Sequence, residues 1–238
     1  MKEHQGKKIL IIGGSTGIGL ATAKAFAQEE ALVTIASRSQ KKLDHALEIA
    51  ELTMKTECLD ITNETSVKFF FKETNTWDHI VISAADTPMG SVKELDLSQA
   101  YSAMNSKFWG AYHVARSANI KSGGSLTLIS GYLSERPRQT AVLQGAINAA
   151  IDALARGLAL ELAPVRVNSV SPGLVATSLW SNIEPAHREQ MYLAAADRLP
   201  VGRVGKASDI AKAILFLAST GYVTGSKVLA DGGATIAY

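Results

Sequence analysis

Lys8-Ile9-Leu10-Ile11-Ile12-Gly13-Gly14-Ser15-Thr16-Gly17-Ile18-Gly19 is the stretch whose reading decides the fold. Four aliphatic residues in a row, Ile9 to Ile12, predict a strand buried on both faces, as in parallel sheets. Glycines follow at 13, 14, 17 and 19, and Leu20 to Ala27 then starts a helix. Strand, glycine turn and helix make the first half of a dinucleotide-binding βαβ unit. Glycine lets the backbone approach a pyrophosphate with no Cβ in the way, and the helix N-terminus supplies N–H groups and positive dipole. The spacing G-x-x-x-G-x-G is one residue longer than G-x-G-x-x-G, and the plainer alternative is a tight strand-to-helix connection. Position after a buried strand favours the nucleotide.

Outward from that turn, the chain is 238 residues with 47% hydrophobic and 19% charged content, an ordinary globular balance. The net charge of +2 comes without a basic cluster, so nucleic acid is not an expected partner. The single cysteine, Cys58, excludes an intramolecular disulfide and fits a reducing compartment. Met1 to Gly6 lacks the apolar run of a signal peptide, and no segment approaches the ~18 apolar residues of a membrane span. The expectation is a cytoplasmic protein with no membrane partner and no metal-ligand set.

Ala31 to Ala36 reads as the second strand, ending at Ser37-Arg38-Ser39. An acid at such an end would bond both ribose hydroxyls of an adenosine, whereas an arginine pairs with a 2′-phosphate. Arg38, with no carboxylate beside it, therefore favours NADP over NAD; a solvated arginine is the simpler alternative. Gln40 to Glu51 is helical, and Thr56 to Ile61 is a third strand. Asp60 at its end could bond the adenine amino group or cap the helix expected at Thr62 to Phe71. Strand four is His79 to Ser83. Helices are expected at Leu97 to Asn105, Phe108 to Ala118, Ala146 to Ala163 and Ala207 to Ala218. Strands are expected at Ser125 to Ser130, Arg166 to Val170 and Lys227 to Ala230. This alternation predicts one α/β domain over residues 1–238, a doubly wound Rossmann-type sheet of about seven parallel strands.

Several of these stretches together resemble the short-chain dehydrogenase/reductase family over nearly the whole chain. They are Gly13-x-x-x-Gly17-Ile18-Gly19, Asp60-Ile61, Arg166-Val167-Asn168-x-Val170-x-Pro172-Gly173, Gly202-Arg203-x-Gly205, and Val228 to Gly233. The resemblance implies a nicotinamide cofactor, here NADP(H), a small-molecule ligand, and a homodimer or homotetramer. Carried over, the cofactor would meet Gly13, Ser15, Thr16, Gly17, Ile18 and Gly19 at the first turn, and Ser37 and Arg38 after the second strand. Asp60 and Ile61 would follow, then Ala84 and Ala85, then Pro172 and Gly173. Val175 and Thr177 would hold the carboxamide.

The family protonates the alkoxide left by hydride transfer with a tyrosine tuned by a lysine one helical turn on, helped by a serine and an asparagine. In this chain the tyrosine position is Gln144, the lysine position Asn148 and the serine position Gly131, flanked by Ser130 and Tyr132. The asparagine position is Lys107, with Asn105 nearby, and the family's Asn-Asn-Ala-Gly reads Ser83-Ala84-Ala85-Asp86. Glutamine cannot ionise, and asparagine carries no charge to depress a neighbour's pKa. Lys107 and Tyr132 are the candidate replacement acids; a Lys107–Asp86 salt bridge stiffening an idle site is the alternative. Tyr112-x-x-x-Arg116 and Tyr132-x-x-x-Arg136 are weaker substitutes. Two functions stay open: an NADP(H)-dependent oxidoreductase with a rearranged acid, and a non-catalytic NADP(H)-binding sensor or partner subunit. Thr177 to Leu199 is expected to be a mobile, partly apolar lid over a small organic ligand.

Overall fold

A computed structural model describes residues 2–74 and 76–237. Its centre is β1 (Lys8–Ile12), whose side chains alternate between two cores. Leu10 and Ile12 enter one apolar layer, Ile9 and Ile11 the other, and all four are fully buried. Burying one such side chain contributes roughly 1.5–3 kcal/mol, so a strand like this is stable only with helices on both faces. The chain supplies them in order: α1 (Gly17–Gln28), β2 (Leu32–Ser37), α2 (Gln40–Ala50), β3 (Lys55–Cys58), α3 (Glu64–Glu73) and β4 (Trp77–Ile82). Next come α4 (Leu97–Met104), a π-helical turn (Asn105–Trp109), α5 (Gly110–Ser117), β5 (Ile120–Ile129) and α6 (Val142–Glu161). The last elements are β6 (Arg166–Pro172), β7 (Val175–Ala176), α7 (Pro185–Ala196), β8 (Gly205–Lys206), α8 (Ala207–Ser219) and β9 (Lys227–Ala230).

Seven parallel strands form one sheet in the order β3-β2-β1-β4-β5-β6-β9, and β7 and β8 pair separately. The winding reverses between β1 and β4, so a crevice opens beyond the carboxyl ends of these two strands. Among the described residues no helix is long and apolar enough to cross a membrane.

The outline follows the sequence reading, with corrections that have local causes. β3 stops at Cys58 instead of Ile61, because Asp60 Oδ1 accepts from Thr62 N at 2.9 Å and Thr62 Oγ1 at 2.8 Å and turns the chain. The cap of α3 is Asn63, which accepts from Ser66 N, so Asp60 is not the cap. The two helices expected on either side of Ser106 are one continuous rod, joined by the π turn. β5 runs through Gly123-Gly124, where a Cβ on Gly124 would lie 2.3 Å from the Asp78 carbonyl. The expected lid contains a regular helix, α7, opened by Pro185 and capped by the Glu184 side chain. None of the side chains of α7 is buried.

At the sheet's opposite end, His79 bonds Ser125 Oγ at 2.9 Å, and His4, only 2% exposed, bonds Ser219 Oγ at 3.1 Å. Their rings meet edge to face, with Phe26 against both. Burial, followed by the neighbouring His4 and Arg166, pushes the His79 pKa from 6.5 down to about 4. Protons therefore bind the unfolded chain in preference. Stability is full above about pH 6.5 and is lost as pH falls toward 4, by roughly 3 kcal/mol at most. In denaturant titrations between these pH values, His79→Asn should flatten the loss. An unchanged slope would place the acid sensitivity elsewhere.

Candidate cofactor and catalytic site

The glycine turn between β1 and α1 closes on itself too tightly for side chains. A Cβ on Gly19 would lie 2.1 Å from the Gly13 carbonyl, and one on Gly13 would lie 2.5 Å from Ala84 N. Gly13 also has φ +82°, in the left-handed region. Thr16 caps α1 without a side-chain hydrogen bond, and no acid stands in the first turn. The first N–H groups of α1 are thus left for an anion, and the bare backbone lets it approach. These features fit a dinucleotide pyrophosphate.

The other expected cofactor residues gather along the same sheet edge. Thr177, distant in sequence, faces Gly17, with its Cβ 3.5 Å from where a Cβ on Gly17 would stand. Thr177 also caps the short turn Ser178–Trp180. Ser15 is buried, Ile18 is half-buried against the α1 side of the core, and Ser37 ends β2. Arg38 is exposed, and its guanidinium makes no hydrogen bond or ion pair among the described residues. Ala84 abuts Gly13, Ala85 is exposed, and Pro172 ends β6. Gly173 lies against Asp231, where a Cβ would come within 2.7 Å of its Cα, and Val175 is buried beside Gly205. Ile61 departs from expectation: its side chain packs in the core under Gly110, so only its backbone can face a ligand.

The other end of the candidate site is built around Lys107, carried by the π turn, a helix irregularity frequent at functional sites. The side chain is 8% exposed. Its Nζ donates to the Ser130 carbonyl at 2.7 Å and to Asn148 Oδ1 at 2.6 Å. Beside it Ile82, Ala84, Ala111, Leu128, Ile129 and Ile151 enclose a cavity of about 10 Å³, the size of one water. Burial pushes the Lys107 pKa from 10.5 down to about 8, against the opposing pull of Asp152. The two positions that the resemblance assigns to asparagine and lysine thus hold lysine and asparagine, in direct contact. The ammonium comes from the π turn and reaches across to α6.

Its neighbours are shaped to suit. A Cβ on Gly131 would lie 2.6 Å from Asn148 Nδ2, so a serine there would displace the amide that receives Lys107. Gln144, one helical turn before Asn148, donates from Nε2 to Thr87 Oγ1 at 3.2 Å. Its Oε1 is buried with no hydrogen-bond partner among the described residues. Tyr132 opens a short 3-10 turn and is half-buried.

The Lys107–Asp86 salt bridge does not form. Asp86 is exposed and is held through its backbone by Ser106 Oγ. Arg136 donates to the carbonyls of Ala234 and Ala237, so it is engaged away from Tyr132. Sequence reasoning missed Asp152, 4% exposed, which accepts from Ser169 Oγ at 2.8 Å and Ser134 Oγ at 2.9 Å. The signal was present: Gln144, Asn148 and Asp152 recur at helical spacing on an otherwise apolar inner face.

Comparison with known proteins identifies the family. The family described as enoyl-(acyl carrier protein) reductase matches residues 13–235. A short-chain dehydrogenase/reductase of Acremonium sp, ucsE, is 30% identical over 97% of this chain and 96% of its own. A crystal structure of a small-chain dehydrogenase in complex with NADPH superposes with TM-score 0.86 at 38% identity, covering 98% of this chain and all (100%) of that one. The NADPH-bound short-chain oxidoreductase of Pseudomonas aeruginosa PAO1, which contains an atypical catalytic center, gives TM-score 0.88 at 26% identity, covering 95% of this chain and 96% of that one. The chain belongs to the short-chain dehydrogenase/reductase family.

Proposed function

We propose that this protein is an NADP(H)-dependent oxidoreductase acting on a small carbonyl or alcohol, with Lys107 in place of the tyrosine as proton donor. The observation that carries the reading is the Lys107 ammonium, buried at the carboxyl end of the sheet and held by Ser130 and Asn148. When bound, a reduced nicotinamide supplies hydride to a carbonyl carbon. Gly13, Gly17, Gly19 and the open N-terminus of α1 bind the pyrophosphate, Thr177 faces them, and Arg38 pairs with a 2′-phosphate.

An ammonium has three N–H groups, and two of those on Lys107 are engaged. The third is free for the oxygen that gains negative charge. A group titrating near pH 8 is matched to acid catalysis around neutrality. Gln144 cannot donate an ionisable proton, but its unpaired Oε1 can accept from a substrate hydroxyl and orient it. The second reading, an NADP(H)-binding sensor or partner subunit without turnover, draws on the lack of an ionisable group at Gly131, Gln144 and Asn148.

Three outcomes are expected. Arg38→Ala should weaken NADPH roughly tenfold or more while leaving NADH little changed, since a hydrogen bond to a charged group contributes roughly 1.5–3 kcal/mol. Fluorescence titration of both cofactors measures this, and equal losses would remove the 2′-phosphate assignment.

Across a panel of aldehydes, ketones and alcohols, reduction should slow as pH rises through about 8. Lys107→Met should lower kcat about 10²–10⁴-fold, with Tyr132→Phe near the unmodified rate. Loss in Tyr132→Phe alone would transfer the role to Tyr132. No turnover across the panel, with tight NADPH binding, would leave the sensor or partner-subunit reading.

Assembly follows from α6, whose outer face exposes Val142 and Leu160 beside Ala146, Ala149, Ala153 and Gly157. Such a face pairs with its copy about a two-fold axis. Light scattering at micromolar concentration should give a dimer or tetramer, and a monomer would exclude the pairing.

A further inference from the structure

We infer that Asp152 is a positioning residue that keeps Lys107 charged, its carboxylate supplying from beneath Asn148 the negative potential against which the buried ammonium holds its proton. The inference deepens the reading of Lys107 as proton donor and rests on it for its catalytic meaning.

The placement comes from α6. Its inward face is apolar at Ile147, Ile151, Ala155 and Leu158, and the buried Asn148 and Asp152 interrupt it one turn apart. Asn148 receives Lys107, so Asp152 lies directly behind that pair. Each carboxylate oxygen accepts a hydroxyl, Oδ1 from Ser169 and Oδ2 from Ser134. Those hydroxyls orient the group without neutralising it.

Besides Lys107, the cation near the carboxylate among the described residues is Lys227, whose Nζ is 3.6 Å from Oδ2 and which also pairs with Glu135. Two carboxylates therefore share one ammonium there, so Lys227 alone does not offset the charge on Asp152. The other titratable groups around the site do not compensate. Asp86 is exposed and tied through its backbone, Arg136 is engaged with carbonyls at the C-terminal end, and Tyr132 is half-buried beyond Gly131.

Burial by itself drives Lys107 toward the neutral amine, and Asp152 is the charge that opposes this. A neutral amine has no proton matched to a developing alkoxide. Asp152 thus keeps the acid loaded without touching the reacting atoms.

The test is direct titration of Lys107 in the full chain labelled with ¹³C at lysine Cε, its resonance identified by its loss in Lys107→Met. The expected midpoint is about 8. Asp152→Asn, which can still bond both serines, should lower it by roughly one pH unit. Lys227→Met should raise it, because it removes the cation that now shares Asp152. A merely structural Asp152 predicts no such opposed shifts.

Thermal melts and NADPH titration establish that each variant is folded. Should Asp152→Asn fail to fold, Lys227→Met decides alone, because its side chain lies nearer the surface at 19% exposure. An unmoved midpoint in both variants, or a fall in Lys227→Met, overturns the inference. Opposed shifts in a protein that turns over no substrate would uphold the coupling and remove the proton-donor reading, so the two failures are distinguishable.

Discussion

The contact between Gly19 and the Gly13 carbonyl is the constraint on which the rest of the structure depends. With 2.1 Å available where a Cβ would stand, α1 starts against the end of β1 only if residue 19 has no side chain. That approach aims the helix N-terminus across the crevice where the winding reverses. It also brings Ala84, at the end of β4, against Gly13. The cofactor end is therefore a backbone construction, largely indifferent to side-chain exchanges elsewhere.

The region around Lys107 obeys a different rule, because each residue there constrains the next. A lysine at 107 reaches across to α6, so a second lysine at 148 would oppose it with a like charge. Asparagine instead offers a carbonyl to the ammonium. The asparagine amide then occupies the space of a Cβ at 131, and glycine follows. Lysine 107, asparagine 148 and glycine 131 form one packing solution. Restoring a serine at 131 alone would press on the amide nitrogen, and overpacking of this kind typically costs 1–3 kcal/mol.

The sequence made the parallel sheet and the cofactor edge legible because both rest on local patterns. Ile9 to Ile12 announce burial, and the glycines announce a turn that side chains would block. Arg38 stands where the strand pattern put it, exposed just past the end of β2. The contact between Lys107 and Asn148 was not, since it joins side chains on different elements across the core. How far Lys107 reaches depends on the π turn, which shifts the register of its helix and leaves no compositional mark. Ile61 shows the converse: its place in a motif suggested a ligand contact, while its side chain filled the space left by Gly110. Helix α7 was missed because no apolar periodicity marks a helix with no buried face, although Glu184-Pro185 was a valid start signal.

A buried ammonium is costly unless it is hydrogen-bonded and balanced by opposite charge, and the effective penalty is several kcal/mol per ion. An idle site would be relieved of that cost by an apolar residue at 107, because the surrounding Ile82, Ala111, Leu128 and Ile151 would accept one. The chain instead surrounds the charge with a main-chain carbonyl, an amide oxygen and, one turn further, a carboxylate held by two serines. Two acceptors, from the loop after β5 and from α6, meet the ammonium directly, and a third group on α6 lies one turn behind them. Stability alone does not explain a charge placed there, which is the ground for the proton-donor role proposed for Lys107.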